Sequence, residues 1–175
     1  MRTALQDGEI AKGQAFWVNA SASGNLVLNE NAKIPASSEF YREGSFTPNQ
    51  LIIALDKGDL FDEALVVFTE DATEGYDRDV DISKFDNGFF DLSTFNEDGA
   101  KLAFNYKPLG GCAMEFGIDI SDATSGDYIL SFRSLETFDT PYDIMLVDSY
   151  TSEMTNVRES SSYTFTIDEN DEASF

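Results

Sequence analysis

Apolar and polar residues alternate along Tyr163-Thr164-Phe165-Thr166-Ile167, with aromatic or branched side chains at every second position and threonines between them. A period of two places one set on each face of an extended chain, so this segment predicts a strand with one wet face. Similar short segments recur through the chain, some alternating and some fully apolar, broken by clusters of Gly, Asn, Asp and Ser. They predict strands over Gln14–Asn19, Asn25–Asn29, Gln50–Asp56, Glu63–Thr69, Lys101–Asn105, Ala113–Ile120, Asp127–Arg133, Tyr142–Asp148 and Ser162–Asp168. Ser23-Gly24-Asn25, Lys57-Gly58-Asp59, Glu97-Asp98-Gly99 and Ser125-Gly126-Asp127 read as turns, because glycine tolerates positive φ and Asp or Asn can bond the local backbone. The predicted fold class is all-β, an antiparallel β-sandwich of jelly-roll or Ig-like type, in a single module over residues 1–175. One segment departs from this pattern. Tyr76, Val80 and Phe85 lie at near-helical spacing in an acidic run, so that a short helix near 76–85 and an irregular loop fit equally.

The hydrophobic fraction is 42 %, with 15 Phe and 7 Tyr, which is enough large apolar surface to build a core in a chain of 175 residues. The longest apolar runs, Leu51 to Leu55 and Ala64 to Phe68, fall far short of a membrane span. The segment from Met1 to Glu9 has no apolar stretch and no small-residue cleavage site, so no secretion signal is expected on it.

Charge narrows the functional classes. With 11 Lys+Arg against 33 Asp+Glu and a formal charge of −22, the chain lacks the cations that neutralise phosphates. Nucleic acid and anionic membrane surfaces are therefore excluded as partners. The absence of histidine removes Ser-His-Asp triads, Cys-His pairs and histidine-ligated zinc. Cys112 is the single cysteine and can form no intramolecular disulfide. Almost all of the excess charge lies in residues 56–98 and 135–175, which predicts two acidic surface regions.

The most suggestive cluster is Tyr76-Asp77-Arg78-Asp79-Val80-Asp81. Carboxylates of Asp77, Asp79 and Asp81, at alternate positions in a loop, could converge on a hard cation such as Ca2+. The EF-hand pattern fails, because its glycine and glutamate positions hold Ile82 and Gly88. A calcium loop of another kind competes with a solvated acidic segment. Asp168-Glu169-Asn170-Asp171-Glu172 has no glycine to fold it back and reads as a polar loop. A glycosidase needs only two carboxylates, yet among 33 acids nothing singles out a pair. Gly110-Gly111-Cys112 lacks the Lys-Ser/Thr of a phosphate loop and reads as a turn into a buried strand, with Cys112 in the core. Phe16 with Trp17, and Phe40 with Tyr41, could serve a sugar platform, but neighbours on a strand face opposite ways, which favours packing. No catalytic residue and no resident cofactor are expected.

The order of segments carries a resemblance. Gly13-Gln14-Ala15-Phe16-Trp17-Val18 is similar to the "GQgFfV" strand found near the C-termini of Bacteroidetes proteins exported by the type IX system. Asp62-Glu63-Ala64-Leu65-Val66-Val67-Phe68 and Ala72-Thr73-Glu74-Gly75-Tyr76-Asp77 resemble the "DeTvivF…gATeGfD" core of those proteins. Gly126-Asp127-Tyr128, Phe138-Asp139, Ile144-Met145-Leu146-Val147-Asp148, Asn156-Val157-Arg158 and Ser162-Tyr163-Thr164-Phe165 resemble their closing segment. The resemblance implies a non-catalytic, extracellular or cell-surface β-sandwich that precedes a sorting domain, with no catalytic residues to carry over. It also implies that Met1 and Phe175 cut a piece from a larger secreted protein whose export signals lie outside it. The partners expected are neighbouring domains of the same polypeptide, other surface proteins, a polysaccharide, or a strand of another chain added to an open sheet edge.

Such an acidic surface suits a saline setting, where salt screens self-repulsion over roughly 3–8 Å. The melting temperature is expected to rise with NaCl from low to molar concentration; a midpoint independent of NaCl would remove salt adaptation as an explanation.

Overall fold

The computed structural model describes Val18, residues 22–29, Asn31, and residues 48–110, 113–138 and 142–168. The chain divides into two compact units, residues 1–45 and 46–175. In the first, residues 24–29 are exposed and have no regular structure, so the predicted strand Asn25–Asn29 does not form. The predicted strand Gln14–Asn19 apart from Val18, and Phe16, Trp17, Phe40, Tyr41 and Cys112, lie outside the described residues.

The second unit is built of strands: β1 (Gln50–Lys57), β2 (Leu60–Thr69), β3 (Ile82–Ser83), β4 (Asp91–Phe95), β5 (Lys101–Pro108), β6 (Ile118–Ser121), β7 (Gly126–Arg133), β8 (Met145–Asp148), β9 (Glu153–Asn156) and β10 (Ser162–Ile167). Eight of them form one curled sheet in the order β10-β7-β1-β2-β5-β4-β6, with β3 attached to β5. β8 and β9 form a separate hairpin. All-β is the fold class, with a 3-10 turn at Leu135–Thr137. Two expectations change. The sheet is mixed, because β2 and β5 run parallel, Leu65 opposite Phe104 through Thr69 opposite Pro108. Residues 70–100 leave the end of β2 and return to its start, so β5 begins level with it. No helix forms near 76–85 either. Residues 78–80 make a turn, and Ile82 joins the edge of β5 opposite Phe104.

The core follows from alternation. Leu51, Ile53 and Leu55 of β1, Ala64, Val66 and Phe68 of β2, and Tyr128, Leu130 and Phe132 of β7 project to one face and pack together. The β1–β2 connection is the two-residue turn Gly58-Asp59, with Gly58 at φ 62°, where a side chain would be strained. At that end Lys57 Nζ donates to Thr124 O (2.9 Å), Thr124 Oγ1 (2.7 Å), Ser125 O (2.8 Å) and the Tyr128 hydroxyl (3.1 Å). It also lies 4.7 Å from the centre of the Tyr128 ring. One lysine thus clamps the β6–β7 loop to the end of β1.

Two predicted strands shorten. Of Ala113–Ile120 only the segment from Ile118 pairs, with β4, while Ala113, Met114 and Glu115 are exposed, so the turn at Gly110 does not lead into a buried strand. Of Tyr142–Asp148 only Met145–Asp148 is strand, with the bond from Val157 N to Ile144 O (2.9 Å) continuing its register with β9 one step further. The hairpin this strand forms with β9 is tied down by Tyr163 of β10, whose hydroxyl donates to Asp148 Oδ2 (2.7 Å). The other oxygen of Asp148 accepts from the amides of Tyr150 (2.8 Å) and Thr151 (3.1 Å).

Burial pushes the pKa of Asp148 up, but the hydrogen bonds from Tyr163, Thr151 and Tyr150 together outweigh it and hold the carboxyl below its ordinary value. The bond to Asp148, then burial, raise the Tyr163 phenol. The stability from Asp148 is therefore present above about pH 4 and lost as pH falls through its folded value; that from Tyr163 is present below about pH 10 and lost as pH rises through its folded value. Tyr163→Phe is expected to cost about 1 kcal/mol at neutral pH in urea denaturation, and the difference from wild type should narrow at both extremes. A difference constant from acid to alkaline pH would contradict this.

Candidate functional site

The acidic run leaves β2 and is folded by its own carboxylates. Asp77 accepts from the amide of Thr73 (2.6 Å) through Oδ2 and from the Thr73 hydroxyl (2.9 Å) through Oδ1. The Asp77 carbonyl accepts from Val80 N (3.0 Å) and Asp81 N (2.8 Å). The amide of Asp77 donates to Asp81 Oδ2 (2.8 Å), and the other oxygen of Asp81 accepts from Tyr106 N on β5 (2.7 Å). Thr73, Asp77 and Asp81 recur every four residues, and each step closes one turn of the loop. Asp81 is only 5 % exposed, which a solvated segment would not give. Its burial, opposed by the amides of Tyr106 and Asp77, raises its pKa above the ordinary value.

A second layer holds the loop's outer part. Asp98, in the β4–β5 turn, accepts from Tyr76 N (3.1 Å), and Glu97 N donates to Glu74 O (3.0 Å). Glu74 also pairs with Lys107 of β5 at 2.6 Å, the lysine side chain being 4 % exposed. Asp98 crosses close to Gly75, where a Cβ would lie 3.1 Å from Asp98 Oδ2 and the carboxylate would have to shift by a few tenths of an ångström.

Of the three predicted ligands, Asp77 and Asp81 are brought together through the Asp77 amide, with all four of their carboxylate oxygens accepting hydrogen bonds, while Asp79 is exposed. Among the described residues no group of three or more His, Cys, Asp or Glu is arranged to hold a metal ion. Asp168 is exposed, and Glu169 to Glu172 lie outside the described residues.

Sequence reasoning missed a buried charged cluster beside this loop. Lys84 pairs with Asp62 of β2 and lies 3.6 Å from Asp91 of β4, all three side chains being largely buried. Asp62 also accepts from Leu92 N (2.6 Å) and Glu63 N (2.9 Å), and Asp91 from Asn87 N (3.0 Å). Across β4, Asp119 accepts from Ser93 (3.3 Å) and Ser121 (3.2 Å) and pairs with Lys101 (2.7 Å). The signal for the cluster was Lys84, the single lysine among residues 58–100.

The fold and its site define an all-β protein built on a curled mixed sheet, with an acidic excursion between two parallel strands that is held by its own carboxylates and by buried lysines. The chain belongs to the family described as Domain of unknown function (DUF8693), whose model matches residues 2–174. No curated protein and no solved structure matches it.

Asp81→Ala leaves the amides of Tyr106 and Asp77 without their acceptor, and is expected to cost about 2–4 kcal/mol in urea denaturation. Because the folded pKa is raised, the folded state holds a proton that the unfolded chain releases above about pH 4, so the contribution of Asp81 to stability falls as pH rises through that window and then levels. Asp81→Asn should remove this fall; a stability profile unchanged by that substitution would contradict the role given to burial.

Proposed function

We propose that this chain is a non-catalytic β-sandwich module of an extracellular or cell-surface protein, of the kind exported by the type IX system, and that it spaces or presents neighbouring domains and contributes to adhesive or polymeric contacts. The observation that carries this reading is the use of the acidic block. Its inner carboxylates accept backbone amides and meet buried lysines, so the most chemically suggestive part of the sequence serves the fold. The packing of alternate apolar residues of β1, β2 and β7 into one core supports the sandwich, since an apolar sheet face needs a covering layer. The order of motifs supports the secreted setting. Among the described residues no helix is long and apolar enough to cross a membrane.

A second reading, a calcium-dependent carbohydrate-binding module, is favoured by Tyr76, Phe85 and Phe89. These aromatic residues are exposed within the acidic block, and aromatic faces stack on sugar rings.

A thermal melt with excess EDTA and then with millimolar Ca2+ at fixed ionic strength separates the two. The module reading expects an unchanged midpoint. A ligand at 100 times its dissociation constant adds about 2.7 kcal/mol, so a rise of several degrees with calcium would overturn it in favour of the binding module.

A further inference from the structure

The outer face of the β8–β9 hairpin is apolar in an otherwise acidic region. Val147 lies opposite Met154 in the register, and Met145 stands two residues along on the same face. These side chains are 58 %, 65 % and 42 % exposed, and Tyr150 in the connecting turn is 77 % exposed. The other face is occupied: Leu146 packs against the core, and Asp148 is bonded to Tyr163. The hairpin is therefore fixed from beneath and presents its apolar side outward. Methionine and tyrosine suit such a surface, because a flexible thioether and an amphipathic ring adapt to varied apolar partners.

Charge identifies what fits. Asp143 and Glu159 are exposed near the ends of the hairpin strands, and residues 135–175 carry ten acids against one base. That base, Arg158, donates to the carbonyls of Tyr142 (2.7 Å) and Leu135 (3.2 Å). An anionic lipid surface or a nucleic acid would be repelled, and a second copy would bring another charge of −22 against the first. We propose that this face docks a cationic amphipathic segment of a partner protein, its apolar side chains covering Val147 and Met154 and its Lys or Arg residues meeting the acidic surround. The inference goes beyond the module reading, since it rests on the hairpin and the acids around it.

The probe is a labelled amphipathic peptide of leucine and lysine, titrated by fluorescence anisotropy against the full chain. The double variant Val147→Ser, Met154→Ser keeps every charge, and its affinity is expected to fall about tenfold or more; Tyr150→Ser provides an independent second variant that should fall in the same direction. Asp143→Asn with Glu159→Gln should weaken binding and flatten its salt dependence. Equal affinity for wild type and both hairpin variants would show general attraction to an acidic surface and overturn the proposal. So would equal binding of a peptide with glutamate in place of lysine. Dimerisation of wild type that the double variant abolishes would place a second copy on the face, and faster hydrogen exchange of residues 1–45 in that variant would place the chain's own N-terminal unit there; either result overturns it.

Discussion

The structure depends on how a chain with three acids for every base avoids repelling itself apart. Among the described residues, Lys84, Lys101 and Lys107 serve as counterions, Lys84 and Lys107 with buried side chains and Lys101 partly exposed. Lys84 sits between Asp62 and Asp91, Lys101 pairs with Asp119, and Lys107 with Glu74, and all but the Lys84–Asp91 contact join segments that are distant in the sequence. Removing one partner of such a buried pair leaves the other charge uncompensated, which costs more than the pair itself contributes. Lys57 works differently, fixing carbonyls and an aromatic ring rather than a carboxylate. The remaining acids can face water because the inner ones already have partners.

Backbone amides supply the rest of this compensation. Asp77, Asp81, Asp98, Asp62, Asp91 and Asp148 each accept from at least one N–H. A carboxylate that satisfies an amide closes a turn and stabilises its own ionised form in a single contact. The inner carboxylates of the acidic loop thereby become parts of the frame.

Legibility in the sequence tracked the source of each element's stability. β1, β2, β7 and β10 were readable because they are held by apolar burial, which leaves alternation or solid apolar runs behind. β4 was not, because Asp91-Leu92-Ser93-Thr94-Phe95 buries polar groups whose partners, Asp119 and Asn105, lie on β6 and β5. β9 was missed for a related reason: Glu153-Met154-Thr155-Asn156 turns its one large apolar residue outward. In the acidic loop the spacing of Thr73, Asp77 and Asp81 was in plain view, but the amide of Tyr106 that gives Asp81 its place comes from a strand far along the chain. The run of carboxylates was readable there; the separate backbone amides that Asp77 and Asp81 bond were not.

The parallel pairing of β2 with β5 bears on how the molecule comes to be folded at all. A hairpin such as β1–β2 can zip from its turn, with almost no chain entropy lost before the first contact forms. β2 and β5 have no such route, because the acidic excursion with β3 and β4 intervenes, and closing it precedes any gain from the ladder. Of the loop's own bonds, those from Thr73 to Asp77 and from Asp77 to Asp81 are local, whereas the bond from Tyr106 N to Asp81 requires β5 in place.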